Sequence, residues 1–154
     1  MLAADRTAAV SLPMRFVVAS ILLMATMVLL ATATSGFLAH IRISALGSEI
    51  SELDTTASLL YSGGPGSNFT MEVNVPAGCQ VVLGSMPGCE SSWPLDAKNY
   101  FLEYDGKHII WESRAAYSNK LMDGVAVLGP GEHRLFMETV IDPSDGMLFV
   151  RIYE

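Results

Sequence analysis

Apolar and polar residues follow three successive patterns along the chain. From Phe16 to Ala39, FVVASILLMATMVLLATATSGFLA, 24 positions pass without a charge. From Ile43 the apolar residues are Ile43, Leu46, Ile50, Leu53, Ala57 and Leu60, alternately three and four apart. From Phe69 the period drops to two, with Phe69, Met71, Val73 and Val75 alternating with Thr70, Glu72 and Asn74.

Each pattern predicts an element. A hydrocarbon core of ~30 Å is crossed by roughly 20 helical residues at 1.5 Å each. The first run therefore predicts a transmembrane helix over 16–39. The three-four spacing, with Ser48, Glu49, Ser51, Glu52 and Asp54 between the apolar positions, predicts an amphipathic stalk helix over 40–62. Its seam has two candidate partners: the chain's own globular part, or helices of neighbouring subunits. No proline lies between Phe16 and Tyr61; Ser11 can cap the start, and Pro13 is tolerated in a first turn. Gly36 and Gly47 weaken the helix by ~1 kcal/mol each without ending it. Residues 11–61 thus read as one helix, and Gly63-Gly64-Pro65-Gly66 ends it, predicting a hinge or turn over 63–68.

The period-two region predicts strands over 69–75, 79–84, 99–105, 107–112, 124–128, 132–141 and 146–153. Asp105-Gly106 between NYFLEY and KHIIWE is the signal of a type I′ hairpin. Asp142-Pro143-Ser144-Asp145-Gly146 supplies a second turn between the last two strands. The expected fold is α+β: a long N-terminal helix, transmembrane then amphipathic, followed by a small antiparallel β-sandwich-like head over 69–154.

Charge divides at the same place. Residues 1–42 carry +2 and residues 43–154 carry −9, which makes up the net −7. Only 16% of the chain is charged, against about 25% in an ordinary soluble domain. The uncharged run accounts for much of the mean hydropathy of +0.38. These figures exclude a disordered chain and disfavour a nucleic-acid partner, whose phosphates the acidic head would repel. Arg6 and Arg15 before the span place the tail 1–15 in the cytoplasm and the head outside. Ala31-Thr32-Ala33 has the small-x-small form of a signal-peptidase site, so a β-domain secreted after Ala33 is a rival reading. The apolar run, longer than a signal peptide's, and its amphipathic continuation favour retention.

Candidate chemistry is sparse. Cys79 and Cys89 form no CxxC and lack a second pair for a zinc site. On an outward head they are expected to form a disulfide worth about 2–3 kcal/mol. Asn68-Phe69-Thr70 is an N-x-T sequon, making Asn68 the expected glycosylation position. His40, His108 and His133 are far apart; a His108/His133 metal pair would require adjacent strands. Asp142 and Asp145 are the remaining metal candidates, for calcium, but a DPSDG turn needs no ion. Trp93 and Trp111 read as core or edge anchors, and Glu103, Asp105 and Glu112 as a solvated face. No catalytic motif is present. The expectation is a non-enzyme without cofactor or resident metal.

The stretch DRTAAVSLPMRFVVASILLMATMVLLA, followed by the amphipathic continuation and a small β head, resembles archaeal type IV pilins and archaellins. The resemblance covers residues 5–61 and leaves the head unmatched. Arg15 inside the apolar segment and Ala9 at a position where glycine is often seen depart from the family pattern. The resemblance implies cleavage near Ala8, Ala9 or Val10 by a dedicated prepilin peptidase that leaves the helix in place. It also implies a structural or accessory subunit of a surface filament. The partners would be the membrane and copies of itself or other pilin-like subunits. A single N-terminal helix with a β-sandwich head is also similar to archaellum stator proteins. That likeness implies a single-pass envelope protein whose head binds surface-layer protein. Either way the chain is expected in the cell membrane or a surface filament, with the C-terminal domain outside.

Overall fold

Helix α1 (Arg6–Gly63) absorbs both helical patterns without a break. It leads into eight strands: β1 (Asn68–Val75), β2 (Cys79–Leu83), β3 (Asn99–Tyr104), β4 (Lys107–Glu112), β5 (Tyr117–Ser118), β6 (Ala126–Leu128), β7 (Gly131–Ile141) and β8 (Leu148–Tyr153). This computed structural model describes residues 6–144 and 146–154, with side chains from Met14 onward except Ser35 and Ala39. The processing candidates Ala9 and Val10 are therefore described by their helical backbone alone, and Asp145 lies outside the described residues. The chain divides into two units, 1–41 and 42–154.

Among the described side chains of the first unit the apolar ones are exposed: Phe16 by 79% and Leu30 by 69%. An 18-residue window reaches a mean hydropathy of 2.4, so α1 is long and apolar enough to cross a membrane by length and composition. The described hydroxyls within the run turn back on their own helix. Ser20 Oγ donates to Phe16 O, Thr26 Oγ1 to Leu23 O and Thr34 Oγ1 to Leu30 O, each at 2.8 Å. These bonds satisfy the hydroxyls without water, which makes them compatible with an apolar surrounding.

The second unit is two four-stranded sheets, in the orders β1-β7-β8-β5 and β4-β3-β2-β6. All pairs are antiparallel except β5 with β8. The sequence pattern misses β5 because a two-residue strand has no period to read; Val150 N–H donating to Ala116 O at 2.7 Å ties this segment to β8. The β3–β4 reversal has φ 51° at Asp105 and 68° at Gly106. Positive φ at both central residues is the type I′ requirement.

The second unit has a core built from both sheets and the second part of α1. Leu46, Ile50, Leu53 and Ala57 are buried with Val73, Leu135, Met137 and Ile152 of one sheet and Val81, Leu83 and Leu102 of the other. Ile43 and Leu60 are partly buried at the ends of the seam. Of the two candidate partners of this seam, the chain's own head is the one that covers it.

The glycine cluster is a fastened turn rather than a hinge over 63–68. Asn68 already belongs to β1. Gly66 N–H donates to Thr139 O and Ser67 N–H to Thr139 Oγ1, each at 2.9 Å, while Thr139 Oγ1 donates to Gly64 O at 2.6 Å. Gly64 and Gly66 have φ of 86° and 88°, a backbone that favours glycine.

Candidate functional site

Two kinds of surface stand out, the uncovered apolar helix over 16–39 and the two edges of the head's second sheet. The helix surface follows from composition: with Leu, Val, Met and Ile on every side, no face is polar, so the unit cannot hide its apolar area against itself. The stalk part differs because its polar residues occupy the outward positions and leave a narrow seam.

A hydrogen-bonded group fastens the stalk to the strands. Tyr117, fully buried, donates through its hydroxyl to Asp54 Oδ1 at 2.6 Å and accepts from Ser113 Oγ at 3.2 Å. Ser113 Oγ also accepts from Ala115 N–H at 3.0 Å. Burial, followed by the bond to Asp54, pushes the Tyr117 phenol far above its usual range. Burial and then the same carboxylate push Tyr100 up to about 12. Glu49 Oε2 accepts from Asn74 N–H at 3.0 Å farther along the helix. An open recess of about 530 Å³ lies beside Asp54, Thr55, Ser58, Glu112 and Arg114. The two phenols are held neutral by these shifts and do not themselves line the recess.

The predicted site residues scatter. His108 is on β4 and His133 on β7, in different sheets, so the adjacent-strand metal pair does not form. His108 faces Glu103 Oε2 at 3.9 Å and meets the Phe101 ring edge-on. His133 has an oxygen partner on each nitrogen: Nδ1 faces the Glu154 carboxylate, and Nε2 lies 2.7 Å from Gly129 O. The Glu154 bond is the main cause that raises the His133 pKa, with Gly129 adding to it against some desolvation. Asp142 Oδ1 accepts from Ser144 N–H and Oγ–H, both at 2.8 Å, which lowers its pKa and closes the turn. Among the described residues no group of three His, Cys, Asp or Glu side chains is placed to hold a metal ion.

The expected Cys79–Cys89 disulfide is absent; both thiols are free. Cys79 opens β2 with its side chain in the core, where desolvation raises its pKa. Strand β2 then carries the chain about 13 Å away at ~3.3 Å per residue. Cys89 closes a separate turn, its N–H on Met86 O at 3.1 Å. A disulfide needs Cα atoms roughly 4.4–6.8 Å apart. Asn68 is exposed at the start of β1, an edge strand. The tryptophans anchor packing: Trp93 Nε1 donates to Tyr117 O at 3.1 Å, and Trp111 stacks on Tyr100 at 5.4 Å. Sequence reasoning missed the Asp54–Tyr117–Ser113 group and the Thr139 fastening. Asp54 looked like any polar residue of the stalk, and no local pattern links positions 63 residues apart.

No family model, no curated protein and no solved structure matches this chain. The long apolar N-terminal helix and β head share the architecture of pilins at that coarse level.

Proposed function

We propose that this chain is a structural or accessory subunit of an archaeal type IV pilus-like surface filament. It is held in the membrane before assembly and packed into the filament by residues 16–39, against copies of itself or other pilin-like subunits. The observation behind this is the division of α1. The seam from Leu46 to Ala57 is consumed by its own head, whereas Phe16 to Leu38 keeps its large apolar side chains uncovered. An apolar surface of that size is covered in a cell by lipid or by other apolar helices. Lipid tails are as apolar as leucine, so transfer into a filament draws on close helix packing rather than on further escape from water. Processing near Ala9 or Val10 belongs to the same proposal, and the exposed Asn68 is accessible to a glycan on an outward head. No catalytic role and no cofactor are assigned.

Arg15 favours a second reading, a permanently anchored envelope protein whose head binds surface-layer protein. A charge one residue before the apolar run sits comfortably at a membrane boundary. In a filament interior it needs a partner or a solvated position.

Intact mass of the protein from cells and a blot of sheared filaments test both readings. A start near Ala9 or Val10 together with presence in the sheared fraction supports the filament subunit. Absence from that fraction defeats it. An intact Met1 confined to membranes supports the anchored protein, and a start at Thr34 eliminates both.

A further inference from the structure

The second sheet has two open edges, β4 and β6, and they match each other. Its outer face carries an apolar row that crosses all four strands: Val127 on β6, Val82 on β2, Phe101 on β3 and Ile110 on β4, each opposite the next. The two middle residues are buried, while Val127 and Ile110 at the ends are 50% and 47% exposed. Strand β4 is exposed along nearly its whole length and carries none of the proline or bulge devices that blunt an edge. Beside β6 an open groove of about 420 Å³ runs between that strand and β8, floored by Leu135 and Ile152.

We propose that β4 of one copy adds as a strand to the β6 edge of the next, seated in this groove. Because β4, β3, β2 and β6 alternate in direction, β4 and β6 run antiparallel to each other. Two heads in the same orientation therefore meet as an antiparallel pair, and the contact is head-to-tail and open, able to repeat. The backbone phase agrees. Ser113 N–H donates to Lys98 O at 2.7 Å, and Gly84 N–H to Asn99 O at 2.8 Å. These bonds set the alternation so that Lys107, Ile109 and Trp111 bond inward to β3, and His108, Ile110 and Glu112 present their backbone groups outward. By the same alternation Val127 presents its groups outward from β6. Ile110 opposite Val127 of the next copy is then a hydrogen-bonded pair, and the pairs on either side bring the total to about six backbone hydrogen bonds. The apolar row continues unbroken from one copy to the next.

Two charged side chains of the groove suit the same register. With Ile110 opposite Val127, Glu112 falls opposite Val125, at the end where Asn119 N–H on Gly124 O at 2.9 Å holds the loop bearing Lys120. At the other end Lys107 and His108 fall beside Gly129, whose carbonyl holds His133 and hence Glu154. The groove thus offers Lys120, with Asp123 on the same loop, toward Glu112, and Glu154, already bonded to His133, toward Lys107 and His108. Lys107, Glu112 and Lys120 have no ion-pair partner among the described residues. The contact uses no residue of 16–39 and stands whether or not the helix enters a filament.

Single cysteines placed by the register test it in the full chain, reconstituted in lipid vesicles, on a Cys89→Ser background with Cys79 buried. Directly opposite residues of a hydrogen-bonded pair lie ~5.5 Å apart, within disulfide range. Ile110→Cys mixed with Val127→Cys should cross-link on oxidation, each alone should not, and the doubly substituted chain should give a ladder of multimers. No cross-link in the mixture, or a dimer of Ile110→Cys alone from β4 pairing with itself, overturns the proposal. Exposed charges provide a second test that spares the fold. Glu112→Lys should lower the multimer fraction by roughly two- to fivefold, the scale of an exposed ion pair. Adding Lys120→Glu in the same chain should restore it. Equal multimer fractions in all three proteins also overturn the contact.

Discussion

Truncating Leu53 to alanine separates the two parts of α1 by energy. Leu53 is 0% exposed in the head core, between Ile50 and Ala57 on the seam. The change removes roughly three methylene equivalents, about 2.4 kcal/mol at ~0.8 kcal/mol each. A void of ~50 Å³ left after partial relaxation adds about 1.2 kcal/mol at ~24 cal/mol per Å³. The expected loss is thus about 3.5 kcal/mol, near the middle of the range for a buried leucine. At ~4–8 °C per kcal/mol this lowers Tm by about 14–28 °C. Leu23→Ala, on a side chain 58% exposed in the first unit, should leave head stability within about 0.5 kcal/mol and instead reduce incorporation into sheared filaments. Urea unfolding of the detergent-solubilised full chain, followed by the fluorescence of Trp93 and Trp111, measures both. A loss below about 1 kcal/mol for Leu53→Ala at unchanged m-value refutes the core role of the seam. Equal losses for the two variants refute the division of the helix.

Four further outcomes follow from the head's polar groups and thiols. Tyr117→Phe removes a hydrogen bond to a carboxylate and should cost about 1.5–3 kcal/mol by the same unfolding assay. Tyr100, raised to about 12, holds its proton more tightly folded than unfolded. Its contribution is therefore complete below pH ~10 and is lost as pH rises from there toward 12, a decline that Tyr100→Phe should reduce. His133 also binds its proton more tightly in the folded state. Its contribution is full below about pH 6.5 and is lost as pH rises through the raised folded value, so comparing melts at pH 5.5 and 8 should show a smaller difference in His133→Gln than in the parent. A thiol titration should find Cys89 reactive in the native protein and Cys79 only after unfolding, because Cys79 is buried with a raised pKa; no reactive thiol in the denatured chain would restore the disulfide.

The elements that repeat were legible in the sequence, and those that depend on distant partners were not. The seam from Ile43 to Leu60 and the alternation from Met71 to Val75 are periodic, so their buried faces could be named before any packing was known, whereas Phe69 at the start of the alternation stays 49% exposed. The type I′ turn at Asp105-Gly106 was readable because few dipeptides accept two positive φ angles. What covers the seam was not readable, since a three-four stripe is equally apolar toward a sheet or a neighbouring helix. The short β5 and the Thr139 fastening were hidden for the same reason: each is set by residues far along the chain. Cysteine spacing misled because a short loop says nothing of the side chain's direction, and β2 turns Cys79 into the core. The edges of the second sheet lay in the sequence as KHIIWE and AVL, but strand order alone makes them edges.

The seam also fixes what a cut at Ala33 could and could not do. A chain beginning at Thr34 keeps Leu46, Ile50, Leu53 and Ala57, so its head should unfold at the same urea midpoint as the full chain. Stability alone therefore cannot tell a secreted head from a retained one. A chain beginning at Ser67 loses those four side chains and uncovers the strand residues beneath them. Losing the burial of three large apolar side chains and one alanine removes roughly 5–10 kcal/mol at ~1.5–3 kcal/mol per large residue. A domain of this size is stable by about 5–15 kcal/mol in total, and the loss of the Asp54 bond to Tyr117 adds to the deficit. The shorter chain should then show no cooperative transition and should expose tryptophan to quencher in buffer. If it folds cooperatively, the stalk is an appendage to a self-sufficient sandwich, and the seam is free to serve neighbouring subunits after all.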